Sequence, residues 1–178
     1  MPGFGRYQLW GLGRGMTLAA LSPDIVISLA TITGEAGASS PGAWAAVSHV
    51  IMNRAGKREW KRWISPGQVC ANSGFDAFTQ KTSGFRQSFD YFSDRNSLEP
   101  QPHFEEIIKT CHPILLGQIP DDTGGAQLYF SPKTQAILHE RDPLHYAIQP
   151  KWDFSLLIKC LPPNMLDSDD FEFWRYIV

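Results

Sequence analysis

One carboxyl in this chain sits where its proton affinity should be abnormal. Glu35 follows an apolar run at Ile25, Leu29 and Ile32, with Val26 and Ala30 alongside, spaced like the buried face of a helix. Ser22 can cap that helix, Pro23 suits its first position, and Asp24 complements the positive end of the dipole. Glu35 falls at the opposite end, in Gly34-Glu35-Ala36-Gly37, where the last carbonyls disfavour a negative charge. Apolar packing would disfavour it further, and both effects raise a carboxyl pKa. A side chain that keeps its proton near neutrality can act as a general acid. Position alone does not separate this from an exposed glutamate at an ordinary helix corner, so the surroundings decide.

Other reactive groups carry weaker signals. Asp76 lies between Phe75 and Phe78, and Asp121-Asp122 precede Thr123-Gly124-Gly125 in a turn-forming run. Cys70, Cys111 and Cys160 share no CxxC spacing, so no zinc site is expected on them; one disulfide or three thiols fit equally. His103, His112, His139 and His145 have no supporting metal-ligand motif. Gly11-Leu12-Gly13-Arg14-Gly15 lacks both a preceding strand and a following Lys-Ser/Thr, which excludes a nucleotide loop.

The elements that must position Glu35 follow from spacing and punctuation. A second helix starts at Ser40-Pro41 and runs to Asn53-Arg54, with Ala43, Ala46, Val47, Val50 and Ile51 on its apolar side. Gly42, Ala43 and Ala46 are small enough to admit a close neighbour. Lys57 to Trp63 is a basic, Trp-bearing connector, and Ser65-Pro66-Gly67-Gln68-Val69 starts a short helical turn. Phe85, Phe89 and Phe92 recur at helical steps as a core stripe. Pro102 to Leu116 reads as a helix closed by Gly117. Short strands are expected at 126–131, ended by Pro132, and at 144–148, 154–158 and 171–177. The expected class is α+β: a mostly helical domain over residues 22–178 with a small antiparallel sheet, preceded by an arm over 1–21.

A chain of 178 residues supports one domain with a core, and 43% hydrophobic with 19% charged residues is ordinary for a globular protein. A net charge of −2 gives no reason to expect nucleic acid, and no apolar run reaches membrane-spanning length. The first twenty residues do not have the order of a secretory signal. Six Trp, eleven Phe and five Tyr leave aromatic faces that suit sugar rings as well as a core.

Several motifs in order resemble one family. Thr33-Gly34-Glu35-Ala36, then a small-residue helix ending Val50-Ile51-Met52-Asn53-Arg54, looks like the signature of the spore-cortex-lytic (SleB-type) cell-wall hydrolases. Gly74-Phe75-Asp76-Ala77-Phe78 sits where that family has a short aromatic segment. Asp121-Asp122-Thr123-Gly124-Gly125-Ala126, leading into Leu128-Tyr129-Phe130-Ser131-Pro132, resembles its Asp-Pro-Thr-Gly-Gly-Ala block. Lys151-Trp152 and Phe171-Glu172-Phe173-Trp174 fit its closing pattern more loosely. The likeness spans roughly residues 24 to 176. Asp122 stands in place of the family's Pro, and Asp76 in place of Ser or Thr.

The resemblance implies a lysozyme-like fold and cleavage of the β-1,4 bond between N-acetylmuramic acid and N-acetylglucosamine in peptidoglycan, without metal or organic cofactor. Glu35 would be the catalytic acid and Asp76 the candidate second acid. A second carboxylate about 6.5–9.5 Å away would suit inversion and about 5–5.5 Å retention; without one, the sugar's own groups complete the reaction, as in lytic transglycosylases. Phe75, Phe78, Gly125, Ala126, Gln127, Tyr129 and Trp152 are the candidate substrate-binding residues. The expected partner is the glycan strand, met by a monomer at the cell wall or periplasm. Delivery would be by lysis, injection or another export route, as for a phage endolysin or antibacterial effector. The alternative from another class is an inactive wall-binding domain of the same fold. An amidase or peptidase would need a Cys-His pair or zinc ligands, and none is convincingly arranged.

Overall fold

The computed structural model describes residues 20–160 and 171–177. Most of the expected arm over 1–21 therefore lies outside the described residues; Leu21 packs on the helical core. Seven helices and three strands are described: α1 (Pro23–Ala36), α2 (Pro41–Arg54), α3 (Pro66–Asn72), α4 (Asp76–Gln80), α5 (Ser83–Ser93), α6 (Pro102–Leu115), β1 (Leu128–Phe130), α7 (Pro132–Arg141), β2 (Leu157–Cys160) and β3 (Glu172–Tyr176). The class is α+β.

Four helices start with the same two residues. Ser22, Ser40, Ser65 and Ser131 each accept a hydrogen bond from the amide three residues on, and the following Pro fills the first helical position in each. The Ser hydroxyl satisfies one amide that the helix leaves without a partner, while Pro has no N–H to lose there. Ser131-Pro132 thus begins α7, a helix that the strand-ending reading of Pro132 did not anticipate.

α1 is the central element, touching α2, α3, α4, α5 and α6. Its Leu29 and Ile32, with Val47 and Ile51 of α2 and Ile107 of α6, have no exposed surface. Each such burial contributes roughly 1.5–3 kcal/mol relative to exposure. A second apolar cluster joins Ala46 and Val50 of α2 to Ala126, Cys160 and Phe173, fastening the sheet to the back of that helix. Tyr129 and Phe171 pack against both clusters. None of the described helices is long and apolar enough to cross a membrane.

The sheet is antiparallel in the order β1-β3-β2, with Tyr129 opposite Phe173 and Cys160 opposite Phe173 on the other side. Three strand expectations are met in part: 126–131 contains β1, 171–177 contains β3, and 154–158 opens with a 3-10 turn, Phe154–Leu156, before β2 begins. The strand expected at 144–148 is replaced by turns. There Asp142 accepts from His145 N–H, the Tyr146 carbonyl lies 2.7 Å from His139 Nδ1, and Leu144 is 93% exposed. Local side-chain bonds, rather than burial of one face, decide that segment.

Candidate active site

Glu35 is the penultimate residue of α1; two neighbouring elements bond its carboxyl and a third holds the helix end that carries it. Gly34 allows the first approach. A Cβ added there would stand 2.5 Å from Ala77 Cβ and 3.0 Å from Thr82 Oγ1, so α1 meets the α4–α5 corner closer than any side chain permits. That contact brings the Ala77 amide to Glu35 Oε1, to which it donates at 2.8 Å. From the sheet, the Tyr129 hydroxyl donates to Oε2, also at 2.8 Å. From α2, Trp44 Nε1 donates to the Ala36 carbonyl at 2.7 Å, pinning the helix end that carries Glu35.

Burial raises the Glu35 pKa above its ordinary value. The Ala77 and Tyr129 hydrogen bonds oppose that shift, the neighbouring Asp76 charge adds to it, and the Arg54 charge opposes it. The net result is a carboxyl biased toward its protonated form, with donors ready to receive the anion. Tyr129 is pushed well above the usual phenol value, first by burial and then by Glu35, so it stays a donor.

Arg54 ends α2 beneath this carboxyl. Its guanidinium lies 4.2 Å from the Trp60 ring centre and 4.6 Å from that of Phe75, a cation held between two aromatic faces. Nε donates to the Gln127 carbonyl at 2.6 Å and Nη1 to Ser73 Oγ at 2.9 Å. Burial lowers its pKa to about 10, which leaves it charged at neutral pH. Sequence reading treated Asn53-Arg54 as a helix end and family signature; a buried arginine whose charge acts on a half-buried acid is the site signal those residues also carry.

The Asp121 turn positions the sheet side. Gly124 and Gly125 take φ of +69° and +81°, which glycine adopts without strain. Asp121 Oδ1 accepts from the Thr123 amide and hydroxyl, and Oδ2 accepts from the Gly125 amide. Burial pushes the Asp121 carboxyl up, but these bonds outweigh it and hold the pKa below the ordinary range. Asn53 Nδ2 donates to the Ala126 carbonyl at 3.1 Å. The turn is thereby locked to α2, and the strand after it delivers Tyr129.

A cavity of about 450 Å³ opens over Glu35, and its walls include Asp76, Trp60, Phe75, Phe130, Trp152 and Phe171. Of the residues expected to bind substrate, Phe75, Tyr129 and Trp152 line it. Phe78 does not; its ring packs edge-on against Phe85, 5.6 Å between centres. Ala126 and Gln127 are buried, and they with Gly125 lie outside the lining; they support Asn53, Arg54 and β1 from below. Asp76, at the first position of α4, lines the cavity as its second carboxylate. Ser39, Ser131, Thr134 and Gln135 add hydroxyls and an amide that sequence reading did not single out. Thr134 and Gln135 come from α7, so missing that helix meant missing its share of the wall.

His49 faces two acids elsewhere, with Nδ1 3.7 Å from Asp121 Oδ1 and Nε2 3.7 Å from Asp122 Oδ1. These three residues could offer ligand atoms to a metal ion, a grouping the sequence reading did not consider, and they line neither cavity beside Glu35. Cys70, Cys111 and Cys160 are free and buried. Burial pushes the first two thiols up to about 12, which removes them as nucleophiles.

The chain matches no protein-family model, no curated protein and no solved structure.

Proposed function

We propose that this protein is a peptidoglycan glycosidase of lysozyme-like architecture, with Glu35 as the general acid. The observation that carries the proposal is a mostly buried carboxyl with a raised pKa in the wall of an aromatic-lined cavity. Burial favours the protonated form of Glu35, the form that can hand its proton to a glycosidic oxygen. The Ala77 amide, the Tyr129 hydroxyl and the Arg54 charge then stabilise the carboxylate left behind. An acid whose neutral form is favoured by burial, and whose anion meets preorganised donors, suits proton transfer in the transition state.

The second requirement is a group that stabilises the oxocarbenium-like centre. Asp76, the other carboxylate of the cavity wall, is exposed and free to face a developing positive charge. It would stabilise that centre or activate water. Trp60, Phe75 and Trp152 supply aromatic surface for sugar faces, and Ser39, Ser131 and Gln135 supply hydrogen-bonding groups for hydroxyls and acetamides.

The test is mass spectrometry of soluble products after incubation with purified peptidoglycan. Fragments ending in 1,6-anhydro-muramic acid identify a lytic transglycosylase, and reducing muramic acid ends identify hydrolysis. No released glycan fragments at all would sink the proposal.

A further inference from the structure

His49, on α2, is only 3% exposed, and its ring is aimed at the turn that precedes β1. Nδ1 stands 3.7 Å from Asp121 Oδ1 and Nε2 stands 3.7 Å from Asp122 Oδ1. Both gaps exceed a hydrogen bond, and a charge-assisted bond would close to about 2.7–2.9 Å. A neutral imidazole has one N–H, so it can donate to one of these carboxylates and must turn a lone pair toward the other. The arrangement calls for a positive charge between the groups. Bonds of about 2.0–2.2 Å around a tetrahedral ion set neighbouring ligand atoms roughly 3.4 Å apart. The observed 3.7 Å is nearer to that spacing than to a hydrogen bond.

We propose that His49, Asp121 and Asp122 bind a divalent transition-metal ion, of the class of Zn²⁺, and that the ion clamps α2 to the turn leading into β1. One ring nitrogen and one oxygen from each carboxylate lie within 4.8 Å of one another, and the exposed Asp122 side chain can rotate to close the set. An imidazole among the ligands favours zinc over magnesium or calcium. The second ring nitrogen then keeps its proton and faces a carboxylate, the usual setting of a ligating histidine. Asp121 is held in place by the Thr123 amide and hydroxyl and the Gly125 amide, which use three of a carboxylate's roughly four acceptor positions and leave one for the ion. Asp122 is where this chain departs from the Asp-Pro-Thr-Gly-Gly-Ala pattern, and a proline there would offer no ligand. The three residues line neither cavity beside Glu35, so the ion holds the turn that delivers Tyr129 and takes no part in bond cleavage. The site stands independently of what the chain cleaves.

The experiment titrates the full chain, first stripped with a chelator, with zinc chloride by calorimetry, and follows thermal melts in the same solutions. Wild type should take up one zinc per chain, and its melting temperature should rise by about 5–10 °C when free zinc is a hundredfold above Kd. Asp122→Asn is the safest variant, because the side chain is exposed, and it should weaken binding about 10- to 100-fold. His49→Gln should abolish binding; since His49 is buried, its fold is checked by circular dichroism, and Asp122→Asn decides the matter alone if that variant does not fold. His145→Ala breaks the exposed His145–Asp142 pair, the other place where a histidine meets a carboxylate among the described residues, and should leave zinc binding unchanged. No zinc uptake by wild type would overturn the proposal and leave a protonated His49 as the positive charge between the acids. Uptake unchanged in Asp122→Asn, or lost in His145→Ala, would overturn it as well.

Discussion

Replacing Tyr129 with Phe removes a single oxygen from the cavity wall and tests how Glu35 is tuned. The hydroxyl donates to Glu35 Oε2 at 2.8 Å, and the ring, which packs beside Phe75 and Phe173, would stay where it is. A hydrogen bond to a charged acceptor is worth about 1.5–3 kcal/mol, against roughly 0.5–1.5 for a neutral pair. The bond favours the carboxylate, so its loss must raise the Glu35 pKa further. The sign for activity follows: a general acid works while protonated, so the alkaline limb of the kcat/KM profile should move to higher pH in Tyr129→Phe. The rate at the optimum should fall, since the anion formed on proton transfer loses one of its two donors. The fall implied by a bond of that strength is about 10- to 100-fold. The assay is the initial rate of fragment release from soluble glycan strands between pH 4 and pH 9, with substrate varied at each pH. An alkaline limb at the wild-type position would refute the reasoning, because Tyr129 would then not be reporting on the acid's proton.

Other predictions test neighbouring parts of the site. Asp76→Asn removes the negative neighbour that helps raise Glu35, so the alkaline limb should move to lower pH while kcat falls by about 10²-fold or more, measured in the same assay. Glu35→Gln should stabilise the fold at pH 7. The raised folded-state pKa means that the native carboxyl's contribution is fully present below its ordinary value of 4.5 and lost as pH rises through the folded value. Thermal melts should therefore show the variant above wild type at neutral pH, by about 2–4 °C per kcal/mol, with the gap closing below pH 4. Gly34→Ala should destabilise by about 1–3 kcal/mol in urea titrations, because its methyl group would need the space that Ala77 occupies, and it should depress activity at permissive temperature by displacing the Ala77 amide.

Much of the helical framework was legible because its signals are local. Ser22-Pro23, Ser40-Pro41 and Ser65-Pro66 mark helix starts by the same cap chemistry that the structure contains. The position of Glu35 at the unfavourable end of an apolar helix could be read from spacing alone. Ser131-Pro132 carries the same mark but reads as a strand ending, because α7 buries none of its residues and so has no apolar stripe to announce it. Leu144 to Ile148 misled in the other direction: an apolar sequence suggested a strand, but the side chains of Leu144 and Ile148 stay exposed and the backbone is bonded locally. Arg54 was invisible as a site residue since its role depends on Trp60, Phe75 and Gln127, up to 73 positions away. The cluster of His49, Asp121 and Asp122 belongs to this class as well, because no stretch of sequence contains it.

The central claim is that one proton on Glu35 drives glycan cleavage. Its most direct test is the release of labelled fragments from purified peptidoglycan by Glu35→Gln beside wild type, with both folds checked by circular dichroism and sedimentation onto the insoluble wall measured in parallel. The variant keeps an acceptor for Ala77 N–H but has no proton to donate, so release should drop by roughly 10²- to 10⁴-fold while wall binding persists. Release within a few-fold of wild type by a correctly folded Glu35→Gln would contradict the account.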